Sequence, residues 1–185
     1  MCRWLAHPGT PVLLETLLYE PEHSLIDQSL HSRTGVETAN GDGFGVGWSG
    51  PEVRTPAIVR EAGPAWSDRI LREIAGHVRS PLFFAHIRAS TGSAVQQTSC
   101  RPFRHGRWMW MHNGAIAGFR RMRRDLALAV APGLFPGIEG PTDSEMMFFL
   151  ALTLGLEQDP PGAAARMAGL VEDRARTRGW STRCR

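Results

Sequence analysis

The second residue of the chain, Cys2, directly follows the initiator Met1. Cysteine is small enough for removal of Met1 to be the expected processing, which would leave Cys2 at the N-terminus. Its thiol would then lie beside its own α-amine, a base whose pKa is about 7.7–8.0 in peptides. A nucleophile next to such a base is an arrangement used in covalent catalysis. Cys2 is therefore a candidate nucleophile, and other residues must supply the rest of a site.

A second pattern follows an apolar stretch over residues 82–87, where Arg88 is succeeded by Ser90 and Thr91. A guanidinium binds a carboxylate through two parallel hydrogen bonds, and a hydroxyl can add a third. The pattern therefore suits a carboxylate ligand. A surface arginine at the end of a strand is the structural alternative, and it stays open at this point.

A third pattern is Asn113-Gly114, at the end of an alternating stretch over residues 107–112. The side-chain NH2 of Asn113 and the N–H of Gly114 can point the same way and form an oxyanion hole. Asn-Gly is also a common turn dipeptide, so a simple turn is the alternative.

The fourth pattern, Thr142-Asp143-Ser144-Glu145, precedes an apolar run. Thr142 and Glu145 have the spacing of a capping box, which predicts the start of a helix. Asp143 is then available to carry a negative charge near an ammonium group. A thiol, an arginine for a carboxylate, an aspartate for an amine and an oxyanion hole together suit an α-amino acid with a side-chain carbonyl, close to glutamine.

These residues need a scaffold, and the periodicity of the sequence indicates one. Strands are predicted over residues 2–6, 43–48, 82–87 and 107–112. Helices are predicted over residues 11–18, 66–78, 146–156 and 160–173, with Ser67 as the cap of the second one. Residues 20–38 are expected to be a long loop and a candidate lid. The mixed order, without regular βαβ units, predicts an α+β fold with antiparallel sheets.

The patterns occur in the order typical of class II glutamine amidotransferases, which belong to the N-terminal nucleophile hydrolase superfamily. From Cys2 to about Leu156 the chain resembles the stand-alone, single-domain members of that family. It is similar to γ-glutamyl amidohydrolases of the ergothioneine pathway. The resemblance implies an αββα sandwich of two antiparallel sheets flanked by helices.

The resemblance also implies catalytic roles. Cys2 would be the nucleophile, with its α-amine as the general base. Asn113 and the amide of Gly114 would form the oxyanion hole. His86 and His112 match the family motifs but would be structural neighbours of the site.

For substrate binding, the resemblance assigns Arg88 and Thr91 to the α-carboxylate of glutamine and Asp143 to its α-ammonium group. The turn that contains Gly41 and Asp42 would line the pocket near the nucleophile. By itself this turn, at residues 40–43, is explained as a tight turn that leads into a strand. It lacks the spacing and the following helix of a nucleotide-binding loop.

The composition excludes several other classes of protein. The seven histidines and three cysteines show no metal-ligand spacing, so we expect neither a metal nor a cofactor. All 21 basic residues are arginine, and five of them lie in the last twelve residues, so the rest of the chain is near neutral. The net charge of +3 therefore does not indicate a nucleic-acid partner, and the arginine run over residues 120–124 is expected on a solvated helix face. Neither a membrane span nor a signal sequence is predicted, which gives a cytoplasmic location by default.

We expect a glutamine amidotransferase domain over residues 1–173 that is incomplete at its C-terminus. The related proteins continue with further strands, whereas residues 174–185 are an arginine-rich tail for which we expect disorder. A homodimer and an ammonia-accepting partner are both left open.

The expected reaction is hydrolysis of the glutamine side-chain amide through a γ-glutamyl thioester on Cys2. The alternatives are a hydrolase for another γ-glutamyl compound and an inactive, truncated binding or regulatory protein.

Overall fold

The computed structural model describes residues 2–31, 39–50, 52–89 and 94–177. The chain forms two compact units, Met1–Asn113 and Gly114–Arg185. Thr91 of the predicted carboxylate site lies outside the described residues.

The first unit contains a four-stranded sheet and a two-stranded hairpin. The strands are β1 (Arg3–Leu13), β2 (Phe44–Ser49), β3 (Ala57–Glu61), β4 (Arg79–Ile87), β5 (Phe103–His105) and β6 (Trp108–Trp110). The order in the sheet is β1-β4-β2-β3, and every neighbouring pair is antiparallel. Strands β5 and β6 form the hairpin. Strand β4 therefore lies between β1 and β2.

Among the described residues, three α-helices belong to each unit. They are α1 (Leu14–Leu18), α2 (Leu25–Leu30) and α3 (Arg69–His77) in the first, and α4 (Phe119–Ala129), α5 (Asp143–Thr153) and α6 (Pro160–Thr177) in the second.

One face of the four-stranded sheet carries the core of the first unit. Alternate residues of β4, namely Phe83, Ala85 and Ile87, are at most 2% exposed. Phe44 and Val46 of β2 are buried beside them, and apolar side chains of α1 and α3 complete the cluster. Alternation along the strands thus directs one set of side chains into this core.

The opposite face of β2 carries Gly45 and Gly47, where another segment of the chain packs directly on the strand. A Cβ atom at Gly45 would overlap the carbonyl oxygen of Arg101. At Gly47 a Cβ atom would lie 2.7 Å from Met109 Sδ and 2.8 Å from Pro102 Cγ. Residues 101–102 and the hairpin can therefore approach the sheet only where β2 has no side chains.

In the second unit, the three helices pack on one another in pairs. Helix α4 shows the pattern of a surface helix, since Met122 and Leu126 are fully buried. The four arginines of the run at residues 120–124 are exposed, as the sequence predicts for a solvated helix face.

The α+β class is confirmed, and the predicted strands over residues 43–48 and 82–87 correspond to β2 and β4. Three predictions of local structure are wrong. Residues 11–13 continue β1, so the helix there begins only at Leu14, and α2 lies within the predicted loop at residues 20–38. Helix α3 is capped by Asp68, whose Oδ1 accepts a hydrogen bond from the Leu71 N–H at 2.6 Å, in place of Ser67. Residues 32–38 are outside the described part, so the lid stays a prediction.

The two-sheet sandwich is present only in part, because the described residues form one four-stranded sheet and one hairpin. Helix α6 extends to Thr177, four residues into the segment for which the sequence predicts disorder, and residues 178–185 lie outside the described range. None of the helices in the described segments has the length and apolarity to cross a membrane.

Candidate active site

One end of the sheet brings together three of the segments that carry predicted site residues. In the register of the sheet, Ile87 at the end of β4 is paired with Arg3 on one side and with Phe44 on the other. Cys2, which precedes β1, and Gly43, which precedes β2, therefore flank Arg88, which follows β4. The antiparallel pairing explains how residues so distant in sequence become neighbours.

The Cys2 thiol is half-buried and lies against the backbone of Ala89. The Ala89 N–H donates to Cys2 Sγ at 3.4 Å, and the thiol donates to the Ala89 carbonyl at 3.5 Å. Arg3 Nη1 donates to the carbonyl of Cys2 at 3.3 Å. These contacts fix the direction of the thiol at the end of β4.

Arg88 is only 2% exposed, and three hydrogen bonds connect it to the glycine-rich turn. Its Nη1 donates to the Asp42 carbonyl at 3.1 Å, and its N–H donates to the Gly43 carbonyl at 2.8 Å. In return, the Asp42 N–H donates to the Arg88 carbonyl at 3.2 Å. Arg88 is therefore a buried, oriented cation and not an exposed arginine at a strand exit. A buried guanidinium of this kind suits a carboxylate, because it can donate two parallel hydrogen bonds.

The turn at residues 40–43 adopts a conformation that favours glycine. Gly43 has φ of +124°, where a Cβ atom would also lie 2.5 Å from Cys100 Sγ. At Gly41, a Cβ atom would lie 3.1 Å from the indole of Trp66. The chain bends at Asp42, and the segment packs too closely on its neighbours to accept a side chain at Gly43.

Cys100 lies behind this turn in an environment that disfavours a reactive thiolate. It is fully buried, and its thiol donates to the Glu61 carbonyl at 3.2 Å. Burial raises the pKa of the Cys100 thiol. Since the thiolate is the nucleophilic form, Cys100 is poorly suited to attack a substrate.

His86 precedes the site on β4 and is 1% exposed. Burial, followed by the neighbouring cations Arg101 and Arg88, lowers the pKa of His86 to about 3. The imidazole is therefore neutral at physiological pH. A neutral side chain beside a buried arginine adds no second positive charge to this end of the sheet.

In the second unit, Asp143 is the first residue of α5, and Thr142 caps the helix by accepting a hydrogen bond from the Glu145 N–H at 3.3 Å. Asp143 Oδ2 accepts from the Ile116 N–H at 2.7 Å, and its Oδ1 accepts from the Ser144 N–H at 2.8 Å. The start of α5 thus holds the segment that follows Gly114.

Glu145, the other acidic residue at the start of α5, is 2% exposed. Its carboxylate accepts from the amides of Glu139 and Gly140, at 3.0 and 2.7 Å. The predicted capping box is thus realised in the bond to Thr142, while the Glu145 carboxylate holds the loop that precedes the helix.

Asn113 and Gly114 follow β6 and lie in a segment without helix or strand, with both residues exposed. Motif reasoning identified these two residues, but it missed Ala89 and Ile116. Both act through backbone amides, which any residue type except proline can supply, and only their places next to Arg88 and near Gly114 could have indicated them.

Among the residues that the structure describes, no group of three His, Cys, Asp or Glu side chains could hold a metal ion.

Comparison with known proteins adds to this geometry. The family model for class II glutamine amidotransferases matches residues 20–172. A probable glutamine amidotransferase of Saccharomyces cerevisiae, DUG3, is 38% identical over 160 residues, which cover 82% of this chain and 45% of the yeast protein. The γ-glutamyl-hercynylcysteine sulfoxide hydrolase of Mycolicibacterium smegmatis is 30% identical over 178 residues, 95% of this chain and 72% of that protein.

The chain also matches the solved structure of a glutamine aminotransferase class-II domain protein from Silicibacter pomeroyi, with a TM-score of 0.72 and 36% identity. The match covers 96% of this chain and 66% of the other, so the chain spans less than two thirds of both the yeast and the Silicibacter proteins. The chain belongs to the class II glutamine amidotransferases, and it is homologous to glutamine amidotransferase and γ-glutamyl hydrolase enzymes.

Proposed function

We propose that the protein hydrolyses the side-chain amide of glutamine, or of a related γ-glutamyl amide, through a γ-glutamyl thioester on Cys2. The observation that carries this proposal is the position of the Cys2 thiol, held at the end of β4 next to the buried cation of Arg88. Family membership supports the same reaction class. We further propose that the fold is that of the N-terminal nucleophile hydrolases.

In the proposed mechanism, Met1 is removed and the free α-amine of Cys2 takes the thiol proton. The thiolate attacks the amide carbon, and Asn113 with the Gly114 amide stabilises the negative oxygen of the tetrahedral intermediate. The carbon–nitrogen bond breaks, and ammonia or an amine leaves with the proton. Water then hydrolyses the thioester, which releases glutamate and restores the thiol.

Arg88 and Thr91 bind the α-carboxylate of the substrate in this proposal, and Asp143 binds its α-ammonium group. The support for Arg88 is its burial and its fixed orientation, both of which favour a paired carboxylate. Gly41 and Asp42 line the pocket as part of the turn that is bonded to Arg88.

A specific observation favours a second candidate substrate. The Mycolicibacterium relative is named as a γ-glutamyl-hercynylcysteine sulfoxide hydrolase, and the chain covers 72% of it. A γ-glutamyl amide with a bulky amine is therefore the second candidate. Comparison of kcat/KM for glutamine and γ-glutamyl-p-nitroanilide distinguishes the two substrate types.

The proposed nucleophile is tested by intact mass before and after reaction with 6-diazo-5-oxo-L-norleucine, a glutamine-like electrophile. We expect a mass that lacks Met1 and a single adduct. Cys2→Ser should lose both the adduct and glutamate release, because a serine hydroxyl is a far weaker nucleophile than a thiolate.

Cys100→Ser is the matched control, since a hydroxyl can replace the thiol as donor to the Glu61 carbonyl. This variant should keep the adduct and the turnover. Loss of both in Cys100→Ser, with retention in Cys2→Ser, would show that Cys2 is not the nucleophile.

A further inference from the structure

The carboxylate of Asp143 is held in one orientation by its own helix. Thr142 caps α5, and the N–H and hydroxyl of Ser144 donate to Asp143 Oδ1 at 2.8 and 3.4 Å. Ser144 itself is fully buried, so it provides a rigid support. The second oxygen, Oδ2, is thereby directed away from the helix.

Oδ2 accepts a hydrogen bond from the Ile116 N–H at 2.7 Å, across 27 positions of sequence. The carbonyl of Ile116 is held as well, because it accepts from the Phe119 N–H at the start of α4, at 3.1 Å. Ile116 is therefore fixed on both sides, by α5 through its N–H and by α4 through its carbonyl.

The residues just before Ile116 are much less supported. Asn113, Gly114 and Ala115 are exposed and belong to neither a helix nor a strand. A hydrogen bond to an ionised acceptor is stronger than one between neutral groups. The bond from Ile116 to Asp143 is thus a strong restraint two residues after Gly114.

We propose that Asp143 is a positioning residue for the Asn113–Gly114 turn, in addition to its proposed contact with the substrate ammonium group. This inference rests on the proposed function, in which that turn forms the oxyanion hole. The Asp143 carboxylate then binds the amino end of the substrate and also holds the oxyanion donors in place. Such donors stabilise the developing charge only when they are held at hydrogen-bond distance from it.

The two roles are separated by comparing Asp143→Ala with Asp143→Asn. The amide of asparagine keeps one oxygen that can accept from the Ile116 N–H, but it has no charge for an ammonium group. Asp143→Asn should therefore raise KM for glutamine and lower kcat less than Asp143→Ala does. Asp143→Ala removes the acceptor as well and should lower kcat roughly 10- to 100-fold, because it releases a turn that carries oxyanion donors.

A substrate without an α-amine provides the decisive readout. Glutaramate has the carboxylate and the side-chain amide of glutamine but no ammonium group, so contact with that group cannot influence its turnover. The proposal predicts that Asp143→Ala lowers kcat for glutaramate and that Asp143→Asn restores it. If the wild type does not hydrolyse glutaramate, kcat for saturating glutamine in the two variants decides instead.

Asp159→Ala is the matched control, since Asp159 Oδ1 also accepts an amide hydrogen bond at the start of a helix, from Gly162 at 3.0 Å. It should leave kcat unchanged. Melting temperatures show whether each variant is folded, and amide exchange at Ile116 should accelerate in Asp143→Ala but not in Asp159→Ala.

An unchanged kcat in Asp143→Ala, together with a raised KM for glutamine alone, would overturn the positioning role and leave the proposed function intact. A kcat in Asp143→Asn as low as in Asp143→Ala would do the same. If the wild type releases no glutamate and Cys2 is not labelled, the proposed function itself fails and the inference fails with it.

Discussion

Two buried basic side chains, His86 and Arg88, lie at the end of β4 and differ in charge. Both are at most 2% exposed, and both lie within three residues of the backbone that holds Cys2. The Arg88 guanidinium stays charged and donates to the Asp42 carbonyl, whereas burial and two arginines hold His86 neutral. His86 thus adds no charge to this end of the sheet, whereas Arg88 supplies a group that can bind a carboxylate through two hydrogen bonds.

The lowered pKa of His86 predicts a specific loss of stability in acid. In the unfolded chain the group has a pKa near 6.5, while the pKa in the folded protein is about 3. Between these values the unfolded chain binds a proton that the folded protein does not bind. The contribution of His86 is therefore fully present above about pH 6.5 and is lost as the pH falls toward 3, by at most about 1.4 kcal/mol per pH unit.

His86→Gln removes this titration, so urea unfolding of the variant should show a weaker dependence on pH between 6.5 and 4 than the wild type. Besides burial, Arg101 and Arg88, the charge of His112 lowers the pKa of His86. His23→Gln is a suitable control, because His23 is on the surface and 64% exposed. Equal pH dependence in the wild type and His86→Gln would contradict the assignment.

At the residue scale, the sequence is informative where a side chain carries the chemistry. Cys2, Arg88 and Asp143 could be recognised because few other residue types supply a thiol, a bidentate cation or an anion. Their partners Ala89 and Ile116 could not, because each contributes a backbone amide that any residue other than proline provides.

At the scale of elements, the glycines of β2 determine what the sheet can support. Gly45→Ala should destabilise the protein, because its Cβ atom would meet the carbonyl of Arg101, a backbone group that cannot rotate away. Overpacking of this kind costs about 1–3 kcal/mol. For a chain of this size we expect the melting temperature to fall by about 2–4 °C per kcal/mol.

Gly63→Ala is the matched control, since no atom lies within 4 Å of a Cβ atom at that position. It should change the melting temperature little. Equal stability of Gly45→Ala and Gly63→Ala in thermal unfolding would show that residues 101–102 do not pack on β2 in solution.

The spacing of apolar residues predicted the strands and helices in which buried side chains recur regularly. The prediction was wrong where the position of a segment in the sheet outweighs its local propensity. Strand β1 continues through Pro8 and Pro11, which usually end a strand. It tolerates them because it is the edge strand of the order β1-β4-β2-β3, where a missing N–H breaks no pairing on the open side. Helix α2 has only six residues, too few for a helical period to be detected, although Ser24 caps it.

In the first unit as a whole, the reactivity of the Cys100 thiol measures how firmly segments that are distant in sequence pack on one another. Its thiol lies against Gly43, donates to the Glu61 carbonyl at 3.2 Å and lies 3.6 Å from the Gln96 carbonyl. Gly43 precedes β2, Glu61 is the last residue of β3, and Gln96 lies beyond β4. A reagent can reach the thiol only after those segments separate.

We therefore predict strong protection of Cys100 in a variant that carries Cys2→Ser and Cys184→Ser, so that one thiol remains. Labelling by 5,5′-dithiobis(2-nitrobenzoate) should be roughly a thousandfold slower than in the unfolded chain, which corresponds to an opening free energy of about 4 kcal/mol. The raised pKa of the buried thiol slows the reaction further. The matched variant that keeps only Cys2 should react much faster, because that thiol is half-buried at the start of β1.

If opening involves the entire unit, the labelling rate of Cys100 should rise steeply with urea, in parallel with global unfolding. A rate equal to that of the unfolded chain, without urea dependence, would mean that the segment around Cys100 is detached from β2 and that the face of glycines is not covered.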